Sequence, residues 1–127
     1  MLKRILFSVL VAAVFFGCGA VDGEDSGVFI RVRNNSDLTF QQVTAITGNR
    51  EGFFGDLAPR QNSDYLEFEH AFRYASVFLR IDGKPLQLIP NDYTGETPLR
   101  AGYYTYRVGL SSANLSDASL TFEFVRD

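Results

Sequence analysis

From Gly27 to the end of the chain, apolar side chains recur at every second position, and that period limits the fold more than any other feature. Val28, Ile30 and Val32 alternate with Phe29, Arg31 and Arg33, and Leu66 and Phe68 with Tyr65, Glu67 and Glu69. Val77, Leu79 and Ile81 alternate with Phe78, Arg80 and Asp82. Tyr104, Tyr106, Val108 and Leu110 alternate with Tyr103, Thr105 and Arg107, and Leu120, Phe122 and Phe124 with Thr121, Glu123 and Val125. Successive side chains of a strand point to opposite faces, so each run reads as a strand with one buried and one wetter face. No segment after the first eighteen residues sustains the i, i+3, i+4, i+7 spacing of a helix.

Turn residues separate these runs. Asn34-Asn35-Ser36-Asp37 precedes a strand over Leu38–Ile46, and Thr47-Gly48-Asn49-Arg50 follows it. Asp82-Gly83 is a strong hairpin signal, because a type I′ turn needs positive φ at both central residues; the partner strand is expected over Pro85–Ile89. Pro90–Pro98 reads as a longer loop, since proline is kept out of central ladders. About eight short strands in about 100 residues predict an all-β fold, a single antiparallel β-sandwich of about 7–8 strands.

The segment Leu99-Arg100-Ala101-Gly102-Tyr103-Tyr104-Thr105-Tyr106 resembles the turn that enters a late strand of immunoglobulin-like, fibronectin-like and transthyretin-like sandwiches. That resemblance implies that Leu99 plugs the core and that the Tyr104 hydroxyl bonds back to upstream backbone. The chain has one cysteine and no tryptophan, so the antibody-type Cys…Trp…Cys core is absent. An immunoglobulin-like or transthyretin-like sandwich is the expectation.

The first eighteen residues read differently. Met1-Leu2-Lys3-Arg4 is a basic start, Ile5–Phe16 is uncharged throughout, and Gly17-Cys18 closes the run. The stretch falls short of the roughly 20 residues a membrane-spanning helix requires and fits the apolar region of a signal peptide. Phe15-Phe16-Gly17-Cys18 resembles the lipobox of bacterial lipoproteins, with Phe15 where Leu, Val or Ile is usual. The resemblance implies cleavage before Cys18 and acylation of it by a diacylglyceryl group and an amide-linked chain. The alternative is an ordinary cleaved signal with Cys18 a bystander. That would leave a lone thiol in an oxidising compartment, where cysteines normally pair. Gly19 stands where Asp would mark inner-membrane retention. The expected address is therefore the bacterial cell envelope, at the outer membrane, facing the periplasm or the cell surface. The organisation expected is a lipoprotein signal peptide over residues 1–17, the acylated cysteine and an acidic flexible tether over 18–26, and the sandwich over 27–127.

Ten basic and fifteen acidic residues remain after cleavage, a net charge of −5. That excludes the basic stripe of a nucleic-acid binder and electrostatic docking to anionic lipid. His70 is the single histidine, and Glu67 and Glu69 fall on the opposite strand face from it. No G-x-S-x-G elbow accompanies any serine. One histidine and an acylated cysteine cannot supply a zinc site. Among Glu67, Glu69, Asp92 and Glu96 no spacing selects a glycosidase pair. Asp92 and Glu96 are weak calcium candidates because their loop lacks the D-x-D-x-D-G progression. Asn34-Asn35-Ser36 and Asn114-Leu115-Ser116 match the glycosylation pattern, which carries no meaning by default in a bacterial lipoprotein. No catalytic residue, metal or cofactor is expected.

Aromatics are the surplus: fifteen Phe and Tyr follow Cys18. Phe29, Phe78 and Tyr103 alternate out of phase with the core residues and are the candidate interface residues. They either pack under loops, form a patch for a partner, or line a sugar or peptide site. The expected role is a lipid-anchored, non-enzymatic envelope protein with a binding or structural function. It is held to the membrane by its N-terminal lipid and presents a face to an envelope protein partner. A carbohydrate- or peptide-binding module, or a small enzyme inhibitor, is the alternative.

Overall fold

The computed structural model describes residues 27–91 and 97–127. The leader, Cys18, the tether up to residue 26, and Asp92 and Glu96 lie outside the described residues. Eight strands account for the regular structure: β1 Val28–Asn34, β2 Phe40–Thr47, β3 Arg50–Leu57, β4 Leu66–Phe68, β5 Ser76–Ile81, β6 Lys84–Leu88, β7 Gly102–Leu110 and β8 Leu120–Arg126. They form two four-stranded sheets, sheet A in the order β4-β1-β7-β8 and sheet B in the order β3-β2-β5-β6.

Alternation becomes burial as the sequence predicts. Val28, Ile30 and Val32 of β1, Tyr104, Tyr106 and Val108 of β7, and Val77, Leu79 and Ile81 of β5 are all buried in one hydrophobic cluster fed by both sheets. Fully burying such an aliphatic side chain contributes about 1.5–3 kcal/mol. The aromatic rings bring hydroxyls that need partners inside. Tyr106 donates to the Phe72 carbonyl at 2.6 Å. Burial pushes the Tyr106 phenol well above its ordinary value, because the charged form has no water there. Tyr104 donates to the Arg100 carbonyl at 2.8 Å, four residues upstream, as its segment implies. Leu99 packs on the core cluster.

Two hairpins follow from turn chemistry. Asp82 and Gly83 take φ of 51° and 78° between the paired Ile81 and Lys84. Gly48 and Asn49 take 59° and 67° between Thr47 and Arg50. A side chain at position 48 would collide with the His70 carbonyl, so glycine is required there by space as well as conformation.

Three expectations change. The sheets are not purely antiparallel, because β1 and β7 run parallel in continuous register from Val28↔Gly102 to Asn34↔Val108. Hairpins impose antiparallel pairing only on consecutive strands, and β1 and β7 are distant in sequence. The second strand starts at Phe40, not Leu38. Asn34, with no solvent exposure, donates its amide to the carbonyls of Leu38, Leu57 and Ala58 and accepts from Ser36, so residues 35–38 are held as a turn. A side chain so enclosed is not a glycosylation acceptor. Finally, β3 is a full strand where the sequence shows no clean period. Gly55 has φ of 82°, and the β2–β3 register shifts between Phe40 and Thr44. Gln42 in the same bulge has φ of 54°, and its N–H donates to Asp56 Oδ1 at 2.9 Å. The register shifts twice, first taking an extra residue into β2 and then one into β3, and the second shift hides the alternation of β3.

Candidate binding faces

The residues between the buried ones project onto two outer faces, one per sheet. On sheet A, cross-strand register sets them in rows: Glu67, Phe29 and Tyr103; then Arg31, Thr105 and Val125; then Arg33, Arg107 and Glu123. Phe29 and Tyr103 stack with centroids 4.8 Å apart and planes 13° apart. Tyr65 meets Tyr103 edge-on at 5.0 Å, and the Arg31 guanidinium sits 4.9 Å from the centre of the Tyr65 ring. The Tyr65 hydroxyl donates to Asp127 Oδ2 at 2.7 Å. The Thr105 hydroxyl lies 2.9 and 2.7 Å from the two Asp127 oxygens and accepts from Arg31 Nε at 3.0 Å. This network spans the sheet from the β4 side to β8. It explains why Thr105, on the wet side by parity, is only 3% exposed. Partial burial, then the hydrogen bond to Asp127, raises the Tyr65 phenol above its ordinary value.

Sheet B presents another surface. Phe53, Thr44, Phe78 and Gln87 form one row, and Glu51, Ile46 and Ser76 the next. Phe53 is 64% exposed and Ile46 38%, while Ile89, directly after β6, is 53% exposed. Phe78 is half-buried and borders a shallow groove of about 510 Å³ with Gln42, Arg80, Pro85 and Gln87. Of the four strongly exposed large hydrophobic residues among those described, only Tyr103 lies on sheet A.

The three aromatic residues singled out from the sequence therefore do not share a surface. Phe29 and Tyr103 stack on sheet A, whereas Phe78 lies on the outer face of sheet B. Sequence reading missed Ile46 and Ile89 as exposed positions and placed Phe53 only near a strand end. A period-two template laid across Gly52 would have put Phe53 opposite the buried phase. It also missed Tyr65, Thr105 and Asp127 as a connected group, because their contacts cross three strands. His70 is exposed. Among the described residues no group of three His, Cys, Asp or Glu side chains is placed to hold a metal ion. Asn114 Oδ1 accepts from the Ser116 amide and hydroxyl at 3.1 and 2.9 Å, a local turn bond.

No family model and no curated relative matches the chain. Among solved structures it is similar to the NMR structure of a protein from Eubacterium rectale, with a TM-score of 0.53 and 14% sequence identity. The match covers 82% of this chain and 94% of that one. At that identity the likeness is one of fold alone: two sheets, all β.

Proposed function

We propose that the chain is a lipid-anchored protein of the bacterial cell envelope that binds a protein partner, without catalysis, through the outer face of sheet B. The sandwich is of the transthyretin-like form. Strand order supports that form over the immunoglobulin-like one, since β1 and β2 lie in different sheets, whereas the first two strands of an immunoglobulin constant-type domain pair. The leader ending in Gly17-Cys18 supports the anchor, and Gly19 supports the outer membrane. The observation that carries the binding role is the placement of the exposed Phe53 and Ile46 with the half-buried Phe78 on one outer sheet face, with the exposed Ile89 directly after β6. Contiguous exposed apolar side chains with a polar rim mark interaction surfaces, and aromatic residues are enriched at their centres.

The test is a photo-reactive residue at position 53 of the full chain in intact cells, with the same residue at the exposed Asp117 as control. The account expects a discrete protein adduct from position 53, none from 117, and loss of the adduct in Cys18→Ser. That variant leaves the membrane fraction or remains unprocessed. Absence of any adduct from position 53, with the chain recovered in the membrane, would refute the partner face. Unchanged processing and membrane recovery of Cys18→Ser would refute lipidation.

A further inference from the structure

Arg33 and Arg107 stand directly opposite each other in the parallel β1–β7 register. Adjacent strands are about 4.8 Å apart, and like charges placed opposite each other across strands are destabilising. Neighbouring side chains hold them only loosely, and Glu123 alone brings a countercharge. Arg33 reaches Asn62 Oδ1 only at 3.4 Å, and Arg107 reaches Glu123 Oε1 only at 3.4 Å. Their remaining N–H donors have no partner among the described residues. With Arg31, Asn35, Asn62 and Asp127 they line an open groove of about 360 Å³. Three of the ten cationic side chains in the described residues thus gather on one face of an acidic protein, with Arg31 partly offset by Asp127 Oδ2 at 3.7 Å.

The groove runs along β1 and β7, the interior strands of sheet A. Their backbone groups are already used, on the β7 side by β8 and on the β1 side by β4 and residues 61–63, so a peptide cannot add to the sheet here by main-chain pairing. Recognition must come from side chains. Two recognition elements follow one another along β7: the Arg33–Arg107 pair inside the groove and, one row beyond its lining, the Tyr103 ring, 50% open to solvent and backed by Phe29. Arg31, between them, is engaged by Thr105, the Tyr65 ring and Asp127. From position 103 to 107 the strand rises about 13 Å, a length suited to several repeating units of a chain. Guanidinium forks match carboxylates bidentately. The Asn35 amide in the groove and the Glu123 carboxylate beside it are suited to accept from sugar hydroxyls, and the flat Tyr103 ring suits the C–H face of a pyranose. A nucleic acid is a poor fit, because no basic stripe extends beyond these cations to follow its backbone.

We propose that this groove binds a carboxylate-bearing polysaccharide, with Arg33 and Arg107 gripping the carboxylates and Tyr103 stacking on a sugar ring. The site is separate from the partner face on sheet B and does not depend on it.

The experiment is titration of the detergent-solubilised full chain with polygalacturonate, with neutral dextran, polyglutamate and phosphatidylglycerol vesicles as the other arms. Binding to polygalacturonate that falls with added salt is expected, with none to dextran. Arg33→Gln together with Arg107→Gln should weaken it by about tenfold or more, since hydrogen bonds to charged groups are lost. Tyr103→Ala should weaken it by roughly threefold to tenfold. A single cooperative melting transition verifies folding in each variant. No binding to polygalacturonate overturns the proposal, and so does binding that survives the paired arginine change. Equal or tighter binding to polyglutamate, insensitive to Tyr103→Ala, overturns the sugar in favour of an acidic peptide. Tighter binding to the vesicles overturns it in favour of a lipid headgroup.

Discussion

Both outer faces of this sandwich come from the same alternating sequence, yet they end in opposite conditions. On sheet A the outward side chains hold one another. Arg31, Tyr65, Thr105 and Asp127 form a connected hydrogen-bonded group, and Phe29 and Tyr103 stack beside it. On sheet B the outward side chains Phe53, Ile46 and Ile89 are left in water. The strand beneath them, β2, carries a bulge with Gln42 at positive φ. The difference teaches how to divide structural from interactive residues. A side chain satisfied by its neighbours contributes to the fold, whereas one left exposed or incompletely paired is available to something else. By that measure sheet B offers an apolar contact, and sheet A offers its Arg33–Arg107 end and the open side of the Tyr103 ring.

The strongest way to break this contrast is to cut the sheet A network at its hub. Asp127→Ala removes the acceptor of Tyr65 and a partner of the nearly buried Thr105. It should destabilise the domain by about 2 kcal/mol in urea unfolding. A loss within the scatter of surface substitutions, about 0.5 kcal/mol, would mean that the network ties nothing.

A smaller effect comes from the phenols. Folding raises the pKa of both Tyr65 and Tyr106 above the ordinary value of 10.0. Above pH 10 the unfolded chain therefore binds fewer protons than the native one, and stability falls as pH rises through that range. Tyr65→Phe should flatten the alkaline slope slightly and cost about 1 kcal/mol at neutral pH from its lost bond to Asp127. Unfolding titrations at pH 9 to 11 would measure both. A slope unchanged in Tyr65→Phe would remove Tyr65 from the account, leaving Tyr106 as its source.

The smallest stability effect is expected on the other face. Phe53→Ser and Ile46→Thr should each change unfolding free energy by no more than about 0.5 kcal/mol, while removing the adduct formed at that surface. A large destabilisation would show that these side chains support the sheet, and the contrast between the faces would fail.

What was legible in the sequence was local. The Asp82-Gly83 hairpin, the Tyr104 hydroxyl bond four residues back and the buried phase of β1, β5 and β7 depend on neighbours within a few positions, and each appears as expected. The β2–β3 region was obscured because its bulge shifts the period, with Gly52 and Gly55 interrupting the apolar pattern of β3. Phe122 and Phe124 fit the alternation but are only half-buried, because β8 is the edge strand of sheet A among the described residues. The sheet A site was not legible at all. The Arg33–Arg107 pairing depends on a parallel register between strands about seventy residues apart, and no local pattern in either strand encodes it.

The two faces are assigned different partners, and a crossed substitution experiment tests that assignment most directly. Full-length variants carrying Arg33→Gln with Arg107→Gln, or Phe53→Ser with Ile46→Thr, would each be assayed for polygalacturonate binding and for photo-adduct formation from a probe at Ile89. The account predicts that the arginine pair weakens only polysaccharide binding, by about tenfold or more, and that the apolar pair removes only the adduct. Loss of both activities in either variant, with folding intact, would contradict it, as would retention of both activities in both variants.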